Sequence, residues 1–160
     1  GALTVLSTPG QGSTFLLYFP RVEASQEQIP PVSSTTARRG YERILFIDDE
    51  EALGGFVTQT LLPLGYIVAT YTESQSALAA FRAHPASFDL VITDAAMPTL
   101  SGIMLAQEIH QIRPDVPIIL CSGSPSPVTP GEATPLGIVA FLHKPFTSQE
   151  FVMAIQQVFE

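Results

Sequence analysis

Basic residues are scarce in this chain: seven Lys and Arg stand against fifteen Asp and Glu, a formal charge of −8. A nucleic-acid backbone asks for clustered cations, and Arg38-Arg39 is the one adjacent basic pair. Direct binding to DNA or RNA is therefore not expected. Cysteine is nearly absent as well. The single Cys121 cannot close an internal disulfide, which fits a reducing compartment. No apolar run reaches the roughly 18 residues of a membrane span, and neither a signal-peptide pattern nor an internal repeat is visible. The expectation is a cytoplasmic module without membrane contact.

What is present divides by composition into three zones. Residues 1–20, "GALTVLSTPGQGSTFLLYFP", read as strand, Pro-Gly-Gln-Gly turn and strand, a hairpin. Residues 21–42 begin "RVEASQEQIPPVSSTTARRG", polar and rich in Ser and Thr with Pro30-Pro31, and read as a linker. From 43 to 160 short apolar runs alternate with helix-length segments. The runs are "ILFI" (44–47), "YIVATY" (66–71), "LVIT" (90–93), "PIIL" (117–120) and "IVAFL" (138–142). Helices are expected near 50–62, 73–84, 102–112 and 147–159. The last opens with Thr147 three residues before Glu150, a capping box, and carries Phe151, Ile155 and Val158 at helical spacing. This alternation predicts an α/β fold, a doubly wound parallel sheet covered on both faces. Between the fourth and fifth strands, "SPSPVTPGEATPL" contains four prolines. Each would remove a helical donor and clash with the preceding turn, so no regular helix is expected there.

The chemistry gathers at the strand ends. "VITDAAMP" closes an apolar run with a bare carboxylate, Asp94. A strand interior would not hold an unpaired charge, so Asp94 belongs at a carboxyl end. Asp48-Asp49 close the first run, Cys121-Ser122 follow the fourth, and "HKPF" with Lys144 follows the fifth. Parallel strands bring these groups to one rim, where open α/β sheets bind ligands. Three carboxylates close together repel, and a hard cation such as Mg2+ would neutralise them and favour a phosphoryl partner. Lys144 and the Ser122 hydroxyl would then contact phosphoryl oxygens. A lone Asp at a strand end is ordinarily a turn or cap residue. Asp48, Asp49 and Lys144 in register with it change that reading. Glu50 and Glu51 read as charges favoured by a helix N-terminus, Cys121 as a small buried residue, and His84, His110 and His143 as surface residues.

In these motifs the sequence resembles the receiver domain of two-component response regulators. "ILFIDDEEAL" is similar to that family's first strand and acidic pair, "VITDAAMPTLSG" to its phosphoacceptor loop, "ILCSG" to its hydroxyl position and "FLHKP" to its lysine. The resemblance implies a flavodoxin-like fold of strand order 2-1-3-4-5. It implies Asp94 as the phosphoacceptor, with Asp48, Asp49, Asp94 and the Ala96 carbonyl holding Mg2+, and Ser122 and Lys144 contacting the phosphoryl oxygens. It further implies Phe141 as the aromatic switch residue and a cis Lys144–Pro145 peptide. "STPGQGSTFLLYFP" resembles the end of the ATP-binding domain of sensor histidine kinases, without that domain's Asn-bearing helix or adenine-binding Asp motif. Together these imply a hybrid histidine kinase, with the kinase core and a histidine phosphotransfer protein as partners. The four prolines of 124–136 deny the module a rigid fourth helix for symmetric pairing, so the isolated module is expected to be a monomer. Two alternatives are a Mg2+-dependent phosphohydrolase of haloacid dehalogenase type and a pseudo-receiver that only binds partners. The first wants Asp-x-Asp on its first strand, where this chain has adjacent Asp48-Asp49. The second is disfavoured by the intact acidic set and lysine.

Overall fold

A computed structural model describes residues 2–10, 12–18, 40–123 and 129–160. It divides into two compact units, residues 1–36 and 37–160. In the first, β1 (Ala2–Thr8) pairs antiparallel with β2 (Gly12–Tyr18), from Ala2 opposite Tyr18 to Thr8 opposite Gly12. Gly10 and Gly12 both have positive φ, which a tight turn needs and glycine adopts without steric cost. The expected hairpin is therefore present. The linker expected over 21–42 lies outside the described residues up to 39.

The second unit is a five-stranded parallel sheet: β3 (Arg43–Ile47), β4 (Ile67–Tyr71), β5 (Leu90–Asp94), β6 (Ile118–Ser122) and β7 (Ile138–His143), in spatial order β4-β3-β5-β6-β7. That order is the flavodoxin-like 2-1-3-4-5 winding. Alternation along the central strands feeds two cores. Leu45, Ile47, Val91, Ile118 and Leu120 face one side, with Leu78, Phe81, Leu105 and Ile109. Ile44, Phe46, Leu90, Ile92 and Ile119 face the other, with Val57, Leu61, Phe151 and Ile155. Helices α1 (Glu51–Leu61) and α5 (Ser148–Val158) thus cover one face, and α2 (Ser74–Ala83) and α3 (Gly102–Ile112) the opposite one. A strand buried on both faces reads as a continuous apolar run, which is why β3, β5 and β6 were visible in the sequence; the edge strands β4 and β7 are only partly buried.

The proline-rich connection behaves as its composition dictates. Its described part holds only a four-residue helix, α4 (Pro130–Ala133), and a 3-10 turn at Thr134–Leu136 closed by Gly137 at φ 70. Residues 124–128 lie outside the description. The entry into the sheet is also fixed. Gly40 is buried, its N–H donates to the Leu64 carbonyl at 3.1 Å, and a side chain there would collide with the Tyr66 ring. His84 and His143 are exposed as expected, but His110 is not a surface residue. It is half-buried, with Nδ1 sealed and without a hydrogen-bond partner beside Gly137.

Candidate functional site

The winding reverses between β3 and β5, which are neighbours with Ile47 opposite Thr93. At the carboxyl ends of those two strands stand Asp48, just after β3, and Asp94. Asp94 is the last residue of β5 and sits opposite Cys121 of β6, and Ser122 sits opposite His143 of β7. The chain leaves β7 directly into Lys144, whose N–H donates to the Ser122 carbonyl at 2.8 Å. The Lys144–Pro145 peptide is cis, as expected.

Lys144 joins the two carboxylates. Its Nζ lies 2.6 Å from Asp48 Oδ2 and 2.6 Å from Asp94 Oδ1. The remaining oxygens take backbone amides: Asp48 Oδ1 accepts from Glu50 N–H at 3.0 Å, and Asp94 Oδ2 from Ala96 N–H at 2.8 Å. Each carboxylate therefore has one cationic and one amide partner, and burial is tolerated because both oxygens are satisfied. Asp48 is more enclosed than Asp94, at 2% against 6% exposure, so Asp94 is the oxygen-bearing group nearer the opening.

Burial is the dominant influence on Asp48 and raises its carboxyl above the usual value, against the hydrogen bonds from Lys144 and the Glu50 amide. Burial also pulls on Lys144, but the two carboxylates outweigh it and hold the ammonium above its ordinary range. Lys144 thus stays a cation. Next door, burial pushes the Cys121 thiol up to about 12, and it is an inert core residue.

The structure brings together Asp48, Asp94 and Lys144, with Ser122 buried on the adjoining strand. Asp49, the next residue after Asp48, is exposed, and the Ala96 N–H is bonded to Asp94 Oδ2. Among the described residues no three His, Cys, Asp or Glu side chains surround one point. The donor chemistry nevertheless fits a hard divalent cation. Two carboxylates and one ammonium leave a net negative charge, with Asp49 adjacent in the chain to add another and only oxygen donors on offer. Phe141 is half-buried against the α2/α3 core. Beside Asp48 a hollow of about 370 Å³ opens between α1 and β4, lined among others by Glu51, Gly54, Gly55 and Thr70.

Within "VITDAAMPTLSG" two further residues have roles that their residue types alone do not mark. Thr99 holds φ 70 in the loop after Asp94, a strained setting for a β-branched residue, with Leu100 N–H bonded to the Pro98 carbonyl at 2.8 Å. Gly102, first residue of α3, lies against the Asp94 main chain.

Comparison with known proteins agrees with this geometry. Residues 44–156 match the family model described as the response regulator receiver domain. The DNA-binding transcriptional regulator NtrC of Azospirillum brasilense is 37% identical over 114 residues, 71% of this chain and 23% of that protein. The sensor kinase CckA of Brucella abortus is 25% identical over 162 residues, covering 96% of this chain and 17% of that protein. The chain thus spans less than a quarter of the length of these two curated relatives. Among solved structures, a response regulator receiver domain protein from Clostridium thermocellum superposes with a TM-score of 0.67 at 34% identity, over 72% of this chain and 92% of that one. The chemotaxis protein CheY4 of Vibrio cholerae gives 0.66 at 28% identity, over 73% and 98%. No helix among the described residues is long and apolar enough to cross a membrane.

Proposed function

The chain belongs to the response regulator receiver family, and on that premise we propose that Asp94 accepts a phosphoryl group from a phosphohistidine. The observation that carries the proposal is the Lys144 ammonium 2.6 Å from both Asp48 and Asp94 at the reversal point of the sheet. An Asp94 oxygen forms the new bond to phosphorus, the phosphorus–nitrogen bond breaks, and the imidazole leaves with its electron pair. The product is an aspartyl phosphate. Lys144, already held on Asp94 Oδ1, supplies positive charge to a phosphoryl oxygen, and the Ser122 hydroxyl donates to another. The Ala96 amide on Asp94 Oδ2 keeps the carboxylate from turning away from the incoming group. Mg2+, which Asp48, Asp49, Asp94 and the Ala96 carbonyl would hold, supplies charge neutralisation for the phosphoryl oxygens. Phe141 is the residue through which the occupied state reaches the surface.

The donor is best sought in the same polypeptide or a close partner. The similarity to a sensor kinase extends over 96% of the chain, past the receiver and into the hairpin. This supports reading residues 1–20 as the end of a kinase ATP-binding domain, 21–42 as a linker and 43–160 as the receiver of a cytoplasmic hybrid kinase. Such a receiver exchanges phosphate with its own kinase core or a histidine phosphotransfer protein and acts as a monomer. The test is labelling with acetyl phosphate and Mg2+. One acid-stable, base-labile phosphoryl group is expected, and Asp94→Asn should abolish it with the fold intact. Full labelling of Asp94→Asn would overturn the assignment.

A further inference from the structure

We infer that Gly102 is a positioning residue for the phosphoacceptor: it sets where the Asp94–Ala95 peptide lies, and through it the Asp94 carboxylate. The inference rests on the reading of Asp94 as the reacting group.

Nothing about the local backbone asks for glycine here. Gly102 is the first residue of α3, behind the Ser101 cap whose hydroxyl accepts from Met104 N–H at 3.4 Å. Its φ lies outside the left-handed region, so any L-residue could adopt it. In helices glycine is the poorest former after proline. The reason is therefore a close approach. A Cβ on Gly102 would sit 2.0 Å from the Asp94 carbonyl oxygen, 2.9 Å from its carbon and 3.1 Å from Ala95 Cα. All three neighbours are main chain, so no side chain can swing aside.

The peptide being touched and its neighbour are also held by hydrogen bonds. Ala95 N–H donates to the Cys121 carbonyl of β6 at 2.7 Å, and Gly102 N–H donates to the Ala95 carbonyl at 3.1 Å. Asp94 Oδ2 is tied to Ala96 N–H and Oδ1 to Lys144. The start of α3 is thus pressed onto the one peptide that carries the reacting carboxylate. A methyl group at 102 needs at least 3.0 Å from the carbonyl oxygen instead of 2.0 Å. Either α3 or the Asp94 peptide must then move by about 1 Å. Misplacement of a reacting group on that scale costs on the order of 100-fold in rate.

The test compares Gly102→Ala with Ser101→Ala. The second variant weakens the same helix start by removing the hydroxyl that accepts from Met104 N–H, and it adds no atom toward the Asp94 peptide. Phosphorylation by acetyl phosphate is followed at saturating Mg2+, and the amide spectrum of the Ala95–Ala96 segment by NMR. Gly102→Ala should lose on the order of 100-fold in phosphorylation rate and shift the Ala96 amide, while Ser101→Ala melts earlier and keeps both. If Gly102→Ala folds poorly, the same comparison is made in sucrose, which favours the compact state, with Gly55→Ala added to both. A folded Gly102→Ala with an unmoved Ala96 amide and a rate within about threefold of the parent overturns the inference; the threefold margin is set well inside the 100-fold expectation. Failure of the parent chain itself to label overturns the phosphoacceptor reading instead, and the amide comparison still decides whether Gly102 places the peptide.

Discussion

Replacing Lys144 with Met keeps the aliphatic stem and removes the charge that two buried carboxylates share. Asp48 and Asp94 each lose a partner at 2.6 Å, and breaking a buried pair typically costs about 3–5 kcal/mol. The variant has one escape, which bounds the loss: one carboxyl can take up a proton. Protonating a group of ordinary value 3.8 at pH 7 costs about 1.4 kcal/mol per pH unit, roughly 4.4 kcal/mol in all. The expected loss at pH 7 is therefore about 3–4 kcal/mol, a large share of a typical domain's stability. Its pH dependence is the sharper signature. Burial already holds Asp48 above 3.8 with Lys144 in place, and removing the cation raises it further. A carboxyl raised in the folded state contributes stability below 3.8 that is lost as pH rises through its folded value. The deficit of Lys144→Met should thus shrink by up to about 1.4 kcal/mol for each unit between pH 7 and pH 5. Urea denaturation followed by circular dichroism at both pH values measures this. Added Mg2+ should recover part of the pH 7 loss. A deficit under about 1 kcal/mol at pH 7, or one independent of pH, would refute the buried triad as the electrostatic centre.

Other consequences are equally direct. Cys121 is fully buried with its thiol pushed up to about 12, so a disulfide reagent at pH 8 should label it only on unfolding; rapid labelling of the native chain would contradict its burial. The Thr147–Glu150 capping box holds the Glu150 carboxyl below its usual 4.5. Its contribution is present above 4.5 and lost as pH falls through the lowered folded value, so the stability gap between the parent and Glu150→Ala should close in acid; a gap constant from pH 7 to pH 3 would show the charge is irrelevant. Gly55→Ala, in the interior of α1 where a Cβ meets nothing within 4 Å, should raise stability by about 0.5–1 kcal/mol in the same assay. A loss there would mean that the hollow beside Asp48 does not tolerate a methyl group.

Much of the fold was legible because of how these residues bury. Strands such as Leu90–Asp94 and Ile118–Ser122 are apolar on both faces and stand out as uninterrupted runs, and their ends carry the polar groups that cannot go inside. Asp48, Asp94 and Lys144 could be placed on one rim from topology alone, and the capping box from two side chains. What escaped depends on contacts between main-chain atoms distant from the residue's own pattern. Gly102 looks like an indifferent helix start until the Asp94 carbonyl is seen 2.0 Å from its missing Cβ. The Ala96 amide bonded to Asp94 Oδ2 has no mark in the side-chain pattern, and the loop geometry alone produces it. His110 carries a polar ring at the end of a helix, and its enclosure follows from the turn at Gly137, a tertiary packing detail.

The anchorage at Gly40 has a mechanical consequence. The chain is gripped there by the Leu64 carbonyl and the Tyr66 ring, at the amino-terminal edge of the sheet, while Asp94 lies at the carboxyl-terminal edge. A five-residue strand spans roughly 17 Å between those edges. The receiver's chain is therefore gripped at the end opposite the rim that carries Asp94. A pull applied at Gly40 would load the β4 side of the sheet first, through the Leu64 carbonyl and the Tyr66 ring, and reach the Asp94 end last. An entry point so placed leaves the Asp94 rim clear of the position where the chain joins the sheet, so whatever docks at the rim meets no incoming strand.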